Sequence, residues 1–191
     1  MKKTERKKRR VYLQDFEKGA DGHFEYTGAS YAYEDENPVS RKAFVARLAV
    51  SLFAIAACAA LKGSFKVPGM TGWGGTSPIV LIPYAISLVA MLLLLWAGVG
   101  LCMAGDPIRE YKYERCVEPL RRRSVFFAAA EGLCAVGEIV YIILYGVGEN
   151  LVGAILFFAL CAIAGAAAVF AGREVSRAKW KFAPKKSRLV E

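Results

Sequence analysis

The hydrophobic residues of this chain fall into four long apolar stretches, and most charged residues lie between the stretches or at the two ends. The stretches cover residues of about 43–61, 79–103, 124–146 and 150–172. Each is close to the ~20 residues that a helix needs to cross a hydrocarbon layer about 30 Å thick. The pattern predicts an all-α integral membrane protein whose four transmembrane helices pack as a bundle.

Composition supports this interpretation. Hydrophobic residues make up 55% of the 191 residues, although the chain also holds 26 Lys and Arg and 17 Asp and Glu residues. Such a chain keeps its charges outside the apolar stretches, as this one largely does. The alternative, a water-soluble protein, would need four helices that are apolar on every side, which is disfavoured in a chain of this length.

The basic residues predict which side of the membrane each connection occupies. Lys and Arg number ten in residues 1–43, two in 62–78, six in 104–123, none in 147–149 and seven in 173–191. Basic residues are retained on the cytoplasmic side of a membrane. Both termini and the middle connection are therefore predicted to be cytoplasmic, with two short connections on the outer side.

Three regions follow: a cytoplasmic basic and aromatic tail at 1–42, a membrane domain at 43–172 and a cytoplasmic basic tail at 173–191. The first apolar stretch begins too far from the N-terminus for a cleavable signal peptide. Topology accounts for the net charge of +9, so no nucleic-acid partner is predicted. The expected partners are the lipid bilayer and, at the basic tails, anionic lipid headgroups.

Two connections carry further predictions. The outer loop at 62–78 is rich in Gly and Pro, which favours a flexible connector over the alternative of a lid. The middle connection is predicted to hold a cytoplasmic helix at about 107–118, with Asp106 as its N-cap and Pro119 at its end. This helix either docks a partner or lies on the lipid headgroups.

The N-terminal tail has an unusual aromatic pattern. Phe24 and Tyr26 precede a turn at 27–30, and Tyr31 and Tyr33 follow it, so that each pair shares one face of a strand. This spacing predicts a small aromatic hairpin. An isolated hairpin is marginal in water, and three alternatives follow: docking on the membrane domain, docking on a separate partner, or an unstructured tail.

Two carboxylates interrupt the third apolar stretch. Glu131 and Glu138 are seven residues apart, and at 100° per residue they share one helix face with Cys134. A charged side chain in hydrocarbon costs about 2.5–3.5 kcal/mol even on the lenient insertion scale. The face is therefore predicted to turn into the bundle.

Depth along the helices suggests a partner for each carboxylate. Counting from the predicted cytoplasmic ends places Arg47 within reach of Glu131. Counting from the outer ends places Ser87 level with Glu138. The sequence thus predicts a polar site of Glu131, Glu138, Arg47, Ser87 and Cys134.

These residues leave two functions open. The leading hypothesis is a non-enzymatic accessory or scaffold subunit, in which the polar contacts fix helix packing and the cytoplasmic segments contact a protein partner or a second copy. The alternative is a small proton- or cation-coupled transporter or channel that uses Glu131 and Glu138.

An enzyme is disfavoured because the sequence has no HExxH, P-loop, GxSxG or Rossmann glycine motif. No cofactor or metal site is predicted, since the single histidine has no ligand-type neighbours at metal-binding spacing. The lack of an N-x-S/T sequon and the simple charge bias favour a bacterial plasma membrane.

Overall fold

A computed structural model describes residues 16–18, 23–26, 28–64, 66–70, 77–147 and 150–183 of the chain. Four long helices account for most of them. They are α1 (Arg41–Ser64), α2 (Pro78–Cys102), α3 (Glu118–Tyr145) and α4 (Leu151–Arg177). All four are long and apolar enough to cross a membrane, which confirms the predicted helices and indicates a multi-pass membrane protein.

Local sequence sets where two of the helices begin. The Ser77 side chain accepts a hydrogen bond from the Ile79 amide, and Pro78 occupies the first turn of α2, where its missing N–H has no intrahelical partner to lose. At α1 the Ser40 side chain accepts a hydrogen bond from the Ala43 amide. These caps start both helices slightly earlier than the apolar stretches suggested.

The prediction of a separate helix at 107–118 that ends at Pro119 is wrong. Strand β4 (Ile108–Arg109) is followed by one α-helical turn and then a π-helical turn, Tyr113–Val117, which continues directly into α3. A proline clashes with the carbonyl four residues before it in a regular helix. The carbonyl four residues before Pro119 belongs to Arg115, inside the π turn, and the wider turn gives the proline ring room, so the helix continues. The segment Glu110–Val117 is called the connecting segment below.

The helices pack side by side, with α3 against α2 and α4, and α1 against α4 and α2. Large apolar side chains cover the outer surface, among them Phe53 at 75% exposure and Ile143 at 76%. The interior holds apolar residues of every size, from Ala168 to Phe127, and several polar ones. Such extensive exposure of large apolar side chains is expected where the surrounding solvent is lipid.

The two ends of this helical body differ. At the terminal end, where α1 begins and α4 ends, three distant segments form a small antiparallel sheet in the order β4-β3-β5. Strand β3 (Ser30–Tyr33) pairs with β4 on one side and with β5 (Trp180–Ala183) on the other. The region predicted as a basic tail from residue 173 therefore contains the end of α4 and a strand.

The predicted hairpin between the two aromatic pairs is wrong. Phe24 and Tyr26 lie in β2 (Phe24–Tyr26), which pairs with β1 (Phe16–Lys18), whereas Tyr31 and Tyr33 lie in β3 of the other sheet. Strand β3 has two partner strands at the end of the helical body. This arrangement buries its aromatic rings more fully than a two-stranded hairpin in water would.

The opposite end, where α1 ends and α2 begins, is the loop end. Here α1 continues to Ser64, past the predicted boundary at residue 61, and Val67, Pro68 and Gly69 are buried. Val67 packs with Cys134, Phe157 and Cys161 inside the helical body. The first part of the predicted flexible connector is therefore packed among the helices, and residues 71–76 lie outside the described part of the chain.

Candidate functional site

The buried centre of the protein is an ion pair between Lys62 and Glu131. The Lys62 Nζ lies 2.7 Å from Glu131 Oε1 and 2.5 Å from Oε2, and both side chains are almost completely buried. The pair joins α1 to α3, which lie diagonally across the helical body. Two opposite charges in this geometry neutralise each other, so the body need not bury a net charge at its centre.

Other polar and aromatic groups complete the surroundings of this pair. The Ser87 hydroxyl of α2 donates to Glu131 Oε1 at 2.6 Å. The Lys62 ammonium lies 5.9 Å from the ring centres of both Tyr84 and Phe157. Glu131 therefore accepts three hydrogen bonds, and the ammonium faces two aromatic rings that favour a cation.

Both predicted pairings of the carboxylates are wrong. The Arg47 Nη1 lies 3.5 Å from the Glu174 Oε2 on α4, and the Arg47 side chain is half exposed. Arg47 therefore pairs with Glu174 and is not the partner of Glu131. Ser87 bonds Glu131 and not Glu138. Counting depths assumed that neighbouring helices end at the same level. In the structure α3 extends further at the loop end than α2. Ser87 therefore lies level with Glu131, about two helical turns from the predicted position beside Glu138.

Glu138 differs sharply from Glu131. Its side chain is completely buried, and neither carboxylate oxygen has a hydrogen-bond partner among the described residues. It lies on the same face of α3, about 10 Å further along the axis. The structure thus brings Glu131, Ser87 and Lys62 together and leaves Glu138 apart from them.

The segment that follows α1 lies along the face that carries Glu138. Cys134 packs against Val67, and the ring of Tyr141 lies against Gly69. Glu138 lies between Cys134 and Tyr141 on the helix, at spacings of four and three residues, so it faces this segment. The predicted polar residue Cys134 is a buried packing contact here.

A second cluster lies at the terminal end and is called the cap. It consists of β3, β4, β5 and the rings of Tyr31, Tyr33, Phe44, Tyr113 and Trp180. The Arg41 guanidinium lies 5.1 Å from the Trp180 ring centre, 5.6 Å from that of Phe44 and 5.8 Å from that of Tyr33. Arg41 also donates to the Ala104 carbonyl, which ties the cap to the end of α2.

The aromatic tail residues occupy different places. Tyr31 stacks on Tyr113 at 3.9 Å, and the Tyr26 hydroxyl donates to the Ala29 carbonyl. Phe24 is described only in its backbone, which pairs with Lys18. The Tyr33 hydroxyl donates to the Val39 carbonyl. Burial raises the pKa of Tyr33 above its ordinary value of 10.0, and the positive charge of Arg41 partly opposes the rise.

Two important residues were missed by the sequence interpretation. Lys62 was assigned to the outer loop, and Arg41 to the basic tail. Among the described residues no group of three or more His, Cys, Asp or Glu side chains is arranged to hold a metal ion. The carboxylate of Glu131 is already paired with Lys62 at the centre, whereas the carboxyl group of Glu138 could bind a proton or a cation.

Comparisons with protein-family models, with curated proteins and with solved structures find no match to this chain.

Proposed function

We propose that this protein is a non-enzymatic accessory or scaffold subunit of a cell membrane, with four transmembrane helices in a bundle. In this proposal both termini and the cap lie in the cytoplasm, and the cap contacts a protein partner or a second copy of the chain. The observation that carries the proposal is the cap itself. It unites the N-terminal tail, the middle connection and the C-terminal segment on one end of the helical body.

The sidedness rests on the basic residues. Residues 1–43, 104–123 and 173–191 hold 23 of the 26 Lys and Arg residues, from counts of ten, six and seven. All three segments lead into the terminal end of the helices. The positive-inside rule therefore assigns that end to the cytoplasm. Labelling of intact cells with an impermeant maleimide tests this sidedness. Single cysteines are introduced into a cysteine-free variant, at Ser64→Cys on the loop end and at Glu36→Cys beside the cap. Only the cysteine at position 64 is expected to react.

The cap is suited to docking because its aromatic rings pack against one another and part of its sheet is open. The Tyr33 and Trp180 rings meet edge to face at 5.4 Å, and each such aromatic pair contributes about 0.5–1.5 kcal/mol beyond its buried area. Within the described residues, β5 pairs with β3 on one side only, and Phe182 is half exposed. An edge strand of this kind can accept a strand from another chain.

Site-directed photo-crosslinking in the native cell tests the docking role. A photoreactive residue at Phe182 is expected to give a discrete adduct with one protein. The same residue at Val152, which is exposed on α4 near the loop end, is the matched control and is expected to give none. Adding Tyr33→Ala should abolish the Phe182 adduct because the cap loses its central ring. Equal adducts from both positions, or none from Phe182, would contradict the proposal.

A second candidate function, a proton- or cation-coupled transporter, is favoured by one observation. Glu138 is a completely buried carboxyl without a hydrogen-bond partner among the described residues. Acids inside membranes commonly mark ion pathways. In this candidate, Glu138 binds the coupling ion, and the Lys62–Glu131 pair, about 10 Å away along the helix axis, responds to the added charge.

Flux measurements in reconstituted vesicles test this candidate. Glu138→Gln should abolish flux driven by a proton gradient, while Glu114→Gln, at an exposed glutamate of the connecting segment, should leave it unchanged. If wild-type vesicles show no flux above empty vesicles, or if the Glu138 variant transports as the wild type does, the transporter candidate fails.

A further inference from the structure

A groove of about 640 Å³ lies on the outside of α2, close to the terminal end. Its floor is formed by Leu92, Trp96, Val99 and Met103, which recur every three or four residues and therefore make one stripe along the helix. All four side chains are between about half and three quarters exposed. In a membrane protein this stripe contacts lipid.

The connecting segment forms the other wall of the groove. Cys116 lies so close to α2 that a Cβ atom at Gly100 would come within 2.8 Å of its Sγ. Glycine at this position therefore lets the connecting segment lie directly against the helix. The π-helical turn Tyr113–Val117 contains both Arg115 and Cys116, and such turns are frequent at functional sites.

The charges of the groove lie on this wall alone. Lys112 and Arg115 contribute to its lining, and among the described residues the lining contains no acidic side chain. This is notable because Glu110, Glu114 and Glu118 belong to the same stretch of chain. The Arg115 guanidinium lies 5.9 Å from the ring centre of Trp96, where the charged wall meets the apolar floor. The groove is therefore amphipathic, with two cations beside an apolar stripe.

The length of the stripe matches half a membrane. Met103 and Leu92 are eleven residues apart, which corresponds to about 16 Å along a helix. Half of a hydrocarbon core of about 30 Å is close to this length. Because Arg115 lies beside Trp96, an acyl chain that begins at the basic wall follows the stripe toward Leu92 and continues along the exposed Val89 of the same helix.

From these features we propose that the groove binds an anionic glycerophospholipid of the leaflet at the terminal end. The lipid phosphate lies between Lys112 and Arg115, and one acyl chain lies along Leu92, Trp96 and Val99. A zwitterionic lipid offers the same chain but no net negative charge for the two cations. Basic pockets beside membrane helices recognise acidic headgroups in this way. Basic tails attract anionic lipids through charge alone. This groove instead combines two cations with an apolar surface that contacts the acyl chain.

Native mass spectrometry of the full-length protein tests the proposal. The probes are phosphatidylglycerol and phosphatidylcholine with identical acyl chains, and the wild type is expected to retain at least tenfold more of the former. The double variant K112Q/R115Q should lose this preference. The matched control R121Q/R122Q removes the same charge from two exposed arginines outside the groove and should keep it. Equal retention of both lipids, or equal loss in both variants, would overturn the proposal.

Fluorescence quenching keeps the test decisive if the double variant fails to fold. Brominated phosphatidylglycerol should quench wild-type tryptophan emission more than brominated phosphatidylcholine at the same mole fraction, and Trp96→Phe should remove the difference. No headgroup difference in the wild type would contradict the site. Displacement of the lipid by millimolar glycerol phosphate would show that the site binds the phosphate group without an acyl chain, which would overturn the assignment to a phospholipid. A lipid-free dimer that K112Q/R115Q dissociates would assign the groove to a second copy.

Discussion

Glu131 and Glu138 are the same residue type on the same face of the same helix, yet their surroundings have little in common. Glu131 accepts hydrogen bonds from Lys62 and Ser87, so its charge is balanced at the centre of the protein. Glu138 is buried to the same degree and has no such partner among the described residues. Burial alone therefore does not tell a structural carboxylate from a candidate functional one. The contacts of each carboxylate do.

The largest expected effect follows from removing the counter-charge of Glu131. Lys62→Met should lower the free energy of unfolding by about 3–5 kcal/mol, because it leaves a buried carboxylate without its cation. Unfolding in mixed micelles, followed by circular dichroism, measures this loss. Lys66→Met, at an exposed lysine just beyond α1, is the matched control and should change little. A Lys62→Met protein as stable as the wild type would contradict the role assigned to the pair.

The next effect concerns the segment that faces Glu138. A Cβ atom at Gly153 of α4 would collide with the Lys66 carbonyl, so Gly153→Ala must displace this segment. We expect a loss of about 1–3 kcal/mol in the free energy of unfolding, as for other overpacked positions.

Gly165→Ala provides the control on the same helix. Its Cβ would only reach ordinary contact, with the Glu131 Cβ at 3.9 Å. The two variants make the same chemical change, so a loss confined to position 153 reports on the packing of the 66–70 segment. Equal stability of both variants would show that this segment is not packed as described.

A smaller effect is expected at Ser87. Ser87→Ala removes one hydrogen bond to Glu131 but leaves the ion pair, and it should cost about 1 kcal/mol. Ser51→Ala is the control, because the buried Ser51 hydroxyl donates only to the Arg47 carbonyl of its own helix. Equal losses from both changes, measured by the same unfolding method, would argue that the Ser87 bond adds nothing between helices.

The smallest effect is expected at Glu138. Glu138 has no hydrogen-bond partner in the part of the chain that the structure describes. Glu138→Gln replaces it with a polar group of the same size, so the free energy of unfolding should change by less than about 0.5 kcal/mol. The same substitution at Glu131 removes the charge that balances Lys62 and should cost several times more. A large loss at position 138 would show that Glu138 has a structural partner and would weaken the transporter candidate.

The sequence predicted the helices well because the apolar stretches report directly on lipid exposure. It also placed Glu131 and Glu138 on one buried face, since that depends only on helix periodicity. The pairings failed because they depend on how far each helix is shifted along its neighbour. That shift is set by side-chain packing between helices and by where each loop ends. Neither can be read from the sequence of one apolar stretch alone.

Lys62 was missed for a different reason. A lysine at the end of an apolar stretch is ordinarily assigned to the membrane surface, where its charge is solvated. A signal was nevertheless present: Leu48, Ile55 and Cys58 form a buried stripe at helical spacing, and Lys62 continues it by one turn. The cap was missed because its strands come from three distant parts of the chain, and strands of two to four residues leave almost no periodic pattern.

A double-mutant cycle on Lys62 and Glu131 tests the central claim most directly. The free energies of unfolding of Lys62→Met, Glu131→Leu and the double variant are compared with that of the wild type. If the two residues form the ion pair at the centre, each single variant loses several kcal/mol and the double variant regains most of the loss, with a coupling of at least about 2 kcal/mol. Losses that simply add in the double variant would show that Lys62 and Glu131 do not stabilise each other.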